Sequence, residues 1–269
     1  MAMLMKIFAI SDVHGDYSAM IDCLISKGFD ENNDNHLLVS IGDAFDRGEE
    51  SVAIYEYLKR LSDKSKAIVL KGNHTRFFTE YLDGTSISPF NWLHNGTDKT
   101  LDDFLHQTKS FYSWCLLDKS IDEPTNKDFA GWIKYARKQI NKEYPELLSW
   151  LEERPYYFET KNFIFTHGSI DTNALDWHEP HCQRFGLRDW EALMFDDGSF
   201  FNKEITNTKK TVVIGHFHTR NLRQTYNIND NSKNIDDILI RDDNKIIAID
   251  GCTSLTHNVN VLVIEDELL

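Results

Sequence analysis

The chain has 269 residues, enough for one large domain or two small ones and for a core hiding roughly 75% of the unfolded surface. Apolar residues at 41% and charged residues at 27% exclude global disorder and collagen-like architecture, and no apolar run nears the ~18–20 residues of a membrane span. A formal charge of −14 argues against a surface built to coat nucleic acid, because phosphate backbones reward Lys and Arg, yet it permits a phosphorylated substrate where the site itself is cationic.

In chain order, short apolar runs each stop at a polar cluster. KIFAI (6–10) leads into SDVHGD, HLLVSI (36–41) into GDAFDRG, and AIVL (67–70) into KGNH. NFIF (162–165) leads into THGS, TVVI (211–214) into GHFHT, and KIIAI (245–249) into DGC. Continuous apolar runs of this length predict strands buried on both faces. Helical patterns at 18–27 and 51–61 lie between the first three, so the order is βαβα and predicts a largely parallel sheet with its site at the carboxyl ends of the strands. Residues 75–154 break this rhythm. They hold four of the six tryptophans and a helical spacing at Phe129, Trp132, Ile133, Ala136 and Ile140, with Pro124 and Pro145 limiting helix length. This stretch reads as a helical insertion or cap within a single domain spanning 1–269. Residues 227–237 (NINDNSKNIDD) predict an exposed loop, 238–249 a hairpin, and VNVLVIED a last, antiparallel strand. The start MAMLMKIFAI has no signal-peptide pattern, and Cys23, Cys115, Cys182 and Cys252 have no CxxC spacing, which suits reduced thiols in the cytoplasm.

Each polar cluster alone has an ordinary explanation. Asp12 and His14, two apart at a strand end, could share a cation or merely cap a turn. In GDAFDRG, Asp43, Asp46 and Arg47 could form a ligand-binding turn or a surface ion pair, and in GNH Asn73 could simply cap a helix beside His74. His167 follows one strand, and His216 and His218 repeat the i, i+2 spacing after another. Together the strand ends deliver carboxylate, imidazole and amide donors suited to divalent first-row metals, without a cysteine among them. Two aspartates among neutral ligands would leave two such ions with residual positive charge, a fitting host for phosphate.

DVHG, GDAFDRG, GNH, THGS and GHFHT, in this order, resemble the calcineurin-like metallophosphoesterases, and DRG resembles their phosphoprotein-phosphatase branch. That branch includes bacterial and phage serine/threonine phosphatases and symmetrical dinucleoside tetraphosphatases; residues 91–104 (NWLHNGTDKTLDDF) and 151–169 are similar to the helical insertion and approach strand of its bacterial members, so the likeness covers about 6–251. It implies an α/β fold, an αββα sandwich of mixed sheets with a helical insertion. It also implies two divalent metals (Mn, Fe or Zn, with Mn favoured), the first bound by Asp12, His14 and His218, the second by Asn73, His167 and His216, and both by Asp43. Arg47 would hold the phosphoryl oxygens, His74 would protonate the leaving oxygen, and Asp46 would orient His74. Arg184 and Arg188 are candidates for a second phosphate-binding arginine. The family usually has an acidic residue after this histidine, where this chain has Thr75.

The resulting expectation is a phosphomonoesterase resembling serine/threonine, or tyrosine, protein phosphatases and using metal-activated water. The alternatives are a dinucleoside polyphosphate or other nucleotide hydrolase and, outside enzymes, a protein-binding scaffold. The expected partner is a phosphorylated protein or small phosphoester, with neither membrane nor nucleic acid. Nothing in the sequence specifies an oligomer.

Overall fold

The computed structural model describes residues 4–85, 94–106 and 126–269, with 126–129 described by backbone alone. The parallel strands β1 (Leu4–Ile10), β2 (His36–Ser40) and β3 (Ala67–Val69) form one sheet, whose far edge is β11 (Leu262–Glu267), antiparallel to β1. A second sheet has the order β4 (Tyr157–Glu159), β5 (Phe163–Thr166), β8 (Thr211–Ile214), β10 (Ile246–Ala248), β9 (Leu239–Ile240). Its three central strands are parallel and its edges antiparallel. Two mixed sheets thus replace the one largely parallel sheet read from strand order, matching the sandwich that the resemblance implied. The expected C-terminal hairpin is β9–β10, but β10 also pairs parallel with β8. The last strand crosses to the first sheet.

Strand alternation builds the layers. Met5, Ile7 and Ala9 of β1 and Leu37, Val39 and Ile41 on and after β2 face Phe165, Val213, Ile247 and Ile249, forming the core between the sheets. The neighbours Phe8, Ile10 and Leu38 face helices on the outside. These helices are α1 (Tyr17–Ser26), α2 (Ser51–Asp63), α3 (Asn73–Asp83), α4 (Thr97–Phe104), α5 (Asn126–Glu143) and α6 (Leu147–Glu152). The four-residue spacing of Trp132, Ala136 and Ile140 puts one face of α5 into the same cluster as Phe8 and Leu38, so the inserted helices share the core of the first sheet. Trp92, Cys115 and Pro124 lie outside the described residues.

Outside the second sheet, Ile164, Val212, Ile214, Ile246 and Ala248 pack with Trp177, Phe200, Phe201 and Leu222. This layer contains the hairpin β6 (Gln183–Arg184) and β7 (Leu187–Arg188) and the short helices α7 (Asp189–Leu193) and α8 (Thr219–Thr225). A last short helix, α9 (Thr253–Thr256), follows β10. The buried Asp266 carboxylate of β11 accepts hydrogen bonds from Thr160 Oγ1 (2.7 Å) and the Asn162 amide (2.7 Å) in the β4–β5 turn, clipping the two sheets together. No helix among the described residues is long and apolar enough to cross a membrane.

Candidate metal centre

The parallel strands of both sheets end beside one another. Asp12 and His14 follow β1, Asp43 follows β2, Asn73 and His74 open α3 after β3, His167 follows β5, and His216 follows β8. Backbone bonds join these ends: His14 N donates to Asp43 O (3.0 Å), and Gly215 N donates to His167 O (2.9 Å). The turns are tight. Asp12, His14, Asp43, Asp46, Arg47 and His216 all have φ between +45° and +71°, a left-handed conformation costing of order 1–3 kcal/mol per non-glycine residue. Gly42 (φ +80°) leaves room for the ligands themselves, since a Cβ there would lie 2.6 Å from His167 Nδ1. Asp12 and His14 approach to 4.0 Å through these turns, and not through the extended strand assumed from their spacing.

Hydrogen bonds fix what the imidazoles can offer. His14 Nδ1 lies 3.0 Å from Phe45 O and His167 Nδ1 2.9 Å from Ile41 O; a carbonyl only accepts, so both rings donate through Nδ1 and turn their Nε2 lone pairs inward. His167 Nε2 then meets Asp43 Oδ2 at 3.1 Å and Asn73 Oδ1 at 2.9 Å. Three acceptors converging without a donor require a cation between them. In the protein alone a proton can serve: burial works to lower the His167 pKa, but the charge of and hydrogen bond to Asp43 hold it up to about 9. Burial pushes the His14 pKa well below its usual range, reinforced by His74 and Arg47, and takes His216 down to about 3, with His167 adding to the fall. Both are thus neutral, the form that ligates metal.

Donor atoms of His14, Asp43 and His74, and separately of Asp43, His167 and His216, lie within 4.8 Å of one another, so Asp43 belongs to both groups. Asp12 flanks them, its Oδ2 accepting from His216 N at 2.9 Å. Burial raises its pKa, and Asp43 adds to that rise against the pull of His167. This buried set of nitrogen and oxygen donors fits a pair of divalent cations.

Beside the cluster, Asp46 Oδ2 lies 2.7 Å from His74 Nδ1, and Arg47 Nη2 lies 3.3 Å from His74 Nε2. Thr75 contributes no charge; its Oγ1 accepts from Gly72 N (3.2 Å) and caps the first turn of α3. A cavity of about 380 Å³ opens alongside, lined by His14, Arg47, Glu49, Glu50, Ser254 and His257.

Three candidates fall outside the two donor groups. His218 belongs to neither donor group, and its Nε2 faces Asp250 Oδ2 at 3.8 Å. Arg184 is engaged elsewhere, its Nη1 donating to Phe195 O at 2.7 Å. Arg188 is exposed on β7. Sequence reasoning also missed Asp250, buried at the end of β10, although KIIAI-D repeats the strand-end pattern. Its Oδ2 has no hydrogen-bond partner among the described residues, and burial, reinforced by Asp12, raises its pKa well above the usual range. It missed Thr97 and Thr100 as well, whose hydroxyls each lie 3.0 Å from the Asp46 carboxylate; their i, i+3 spacing in NGTDKT was the available signal.

The profile described as calcineurin-like phosphoesterase matches residues 5–220. A Shewanella-like protein phosphatase 1 from Plasmodium berghei is 34% identical over 38% of this chain and 31% of its own length. An asymmetrical bis(5'-nucleosyl)-tetraphosphatase from Oceanobacillus iheyensis is 26% identical over 68% of this chain and 64% of its own. The chain therefore spans about a third and just under two thirds of these relatives. A solved cold-active protein tyrosine phosphatase superposes over 96% of this chain and 73% of that one, with TM-score 0.52 and 19% identity, a likeness of fold.

Proposed function

Because the chain belongs to the calcineurin-like phosphoesterase family, we propose that it is a dinuclear-metal phosphoester hydrolase acting on phosphomonoesters in the manner of a protein phosphatase. The observation that carries this reading is the sharing of Asp43 between two donor groups, buried but for the half-buried His216, with Arg47 beside His74 of the first. In it, Asp12, His14 and Asp43 hold the first cation and Asp43, Asn73, His167 and His216 the second; His218, outside both donor groups, is the further ligand proposed for the first. Bound divalent metals, which we take as Mn²⁺ with Fe and Zn²⁺ the other fits, would polarise the phosphoryl group and acidify a water.

The chain's own residues supply the rest. Arg47 presents a planar guanidinium to two phosphoryl oxygens, a fork that a lysine lacks. Asp46 accepts the Nδ1 proton of His74, and the ring, when it carries a second proton on Nε2, would pass that proton to the departing alkoxide or phenoxide and return to the neutral form. Arg47 Nη2, 3.3 Å from that nitrogen, lies close enough to bind the same phosphoryl group. Arg188 has no ion-pair partner among the described residues and is the candidate for a second phosphate contact, whereas Arg184 already holds the Phe195 loop. Free thiols at Cys23, Cys182 and Cys252 suit the cytoplasm, to which we assign the protein.

A second reading, hydrolysis of dinucleoside polyphosphates, is favoured by the name of the Oceanobacillus iheyensis relative, whose match covers 68% of this chain. Activity after reconstitution with Mn²⁺ separates the two. Phosphoserine, phosphothreonine and phosphotyrosine peptides and p-nitrophenyl phosphate should be cleaved faster than bis-p-nitrophenyl phosphate and diadenosine tetraphosphate. The reverse order promotes the second reading, and no turnover of any ester refutes both.

A further inference from the structure

Asp46 is fully buried, and most of its partners come from one helix of the inserted segment. Its Oδ2 accepts from Thr97 Oγ1 (3.0 Å) and its Oδ1 from Thr100 Oγ1 (3.0 Å), while its amide donates to Thr100 Oγ1 (2.8 Å). The proton count admits one arrangement. The amide can only donate, so it takes a lone pair of the Thr100 hydroxyl, whose single proton goes to the carboxylate; Ser51 Oγ, 3.3 Å away, then donates to the remaining lone pair. Ser51, Thr97 and Thr100 are fully buried, so water cannot replace any of them.

The same helix end holds the next residue. Arg47 N donates to Gly96 O (3.1 Å), and a Cβ at Gly96 would lie 2.6 Å from Arg47 N. Asp46 and Arg47, at φ +71° and +70°, are thus clasped in their left-handed turn by residues 96–100.

We infer that Thr97 and Thr100 are positioning residues for the proton donor: their hydroxyls lock the Asp46 carboxylate where it holds His74 Nδ1, and so aim His74 Nε2 at the leaving oxygen. This rests on the assignment of His74 as acid proposed above. Neither threonine touches the reacting atoms, and they give the inserted helix α4 a duty in the chemistry besides its packing.

The test replaces hydroxyl by methyl. Thr97→Val and Thr100→Val are compared with Thr97→Ser and Thr100→Ser on phenyl phosphate and p-nitrophenyl phosphate, which share a ring and differ in how much the leaving oxygen needs a proton. Each valine variant should keep both metals by elemental analysis and hold KM within about twofold. It should lose about 10- to 100-fold in kcat on phenyl phosphate, within the reach of general acid catalysis, and less than about threefold on p-nitrophenyl phosphate. Each serine variant should return to within about threefold of the parent on both. Equal losses on the two esters, no loss, or failure of serine to rescue overturns the inference. Should Thr100→Val not fold, Thr97→Val carries the comparison, since it removes one bond and leaves those of Thr100. A parent inactive on every ester, or indifferent to His74→Asn, defeats the underlying reading; a parent sensitive to His74→Asn with indifferent threonines defeats this inference alone.

Discussion

Asp43 Oδ2 and His167 Nε2 face each other at 3.1 Å while the other ring nitrogen of His167 is committed to the Ile41 carbonyl at 2.9 Å. A carboxylate and an imidazole lone pair in that relation repel unless a cation lies between them. Asn73 Oδ1, 2.9 Å from the same nitrogen, adds a third acceptor. The fold thus assembles an electron-rich cavity from β2, β5 and the start of α3, at the cost of left-handed backbone at Asp43.

Asp43→Asn should therefore empty both metal positions, because the substitution removes the anion common to the two donor groups. Elemental analysis of the purified variant is expected to fall well below that of the parent, and phosphatase turnover to vanish. Full metal content at parental rates would show that Asp43 does not bridge. The variant should remain folded, since Asn keeps an oxygen able to accept from His74 N, now at 2.9 Å from Asp43 Oδ1.

Arg47→Lys should leave the metals in place and damage catalysis. Lysine retains the charge but offers a point ammonium where the site presents a fork. A loss of about 10- to 100-fold in kcat/KM is expected, roughly 1.4–2.7 kcal/mol of transition-state stabilisation. Parental kcat/KM on every phosphate ester would remove Arg47 from the site.

The loop at 227–237, mostly exposed as its composition predicts, is organised around Arg223 of α8. This guanidinium, 6% exposed, donates to the Asp230 carboxylate, Ser232 Oγ and the carbonyls of Ile235, Asp237 and Ile238. Hydrogen bonds from Arg223 hold the Asp230 pKa down to about 2, against the opposing effect of burial and with help from Ser232. A folded pKa below the unfolded ~3.9 makes the contribution full above that value and lost as pH falls through about 2. Partial exposure reduces it to about 1–2 kcal/mol. Arg223→Met should lower stability in urea melts at pH 7 by about 2–4 kcal/mol, and the gap from the parent should narrow by pH 3. A gap that widens on acidification would contradict the pairing.

The donor residues that the structure brings together were legible because apolar runs ended at carboxylate, amide and imidazole groups, and strand ends in α/β folds meet. Which strands share a sheet was not legible. A run buried on both faces, such as HLLVSI, packs equally well beside any other such run, so pairing is decided by crossovers and by edges such as β11 that lie far away in sequence. His218 shows a second limit: its i, i+2 relation to His216 presumes extended backbone, whereas His216 turns at φ +65°, so the spacing alone does not say where His218 points. Thr97 and Thr100 went unnoticed because hydroxyls at helical spacing commonly face solvent, and only their burial against Asp46 distinguishes them.

His74 is the residue most easily mistaken for a ligand, since its side chain lies within 4.8 Å of donor atoms on His14 and Asp43. We read it as the acid. Nδ1 donates to Asp46 at 2.7 Å, as the outer nitrogen of a ligand histidine also would, so the discriminating distances are at Nε2, which stands 3.9 Å from Asp43 Oδ2 but 3.3 Å from Arg47 Nη2. It is thus nearer the proposed phosphoryl-binding group than the bridging carboxylate. His74→Asn should keep both metals and slow hydrolysis by about 10²–10⁴, the contribution usual for a positioned acid. The loss should be greatest on phosphoserine peptides, whose alkoxide needs the proton most, and shrink on p-nitrophenyl phosphate, whose phenoxide leaves with little help. Metal analysis and the two rates on one preparation decide the matter. A variant that loses metal is acting as a missing ligand, and one that slows both substrates equally has lost something other than its acid.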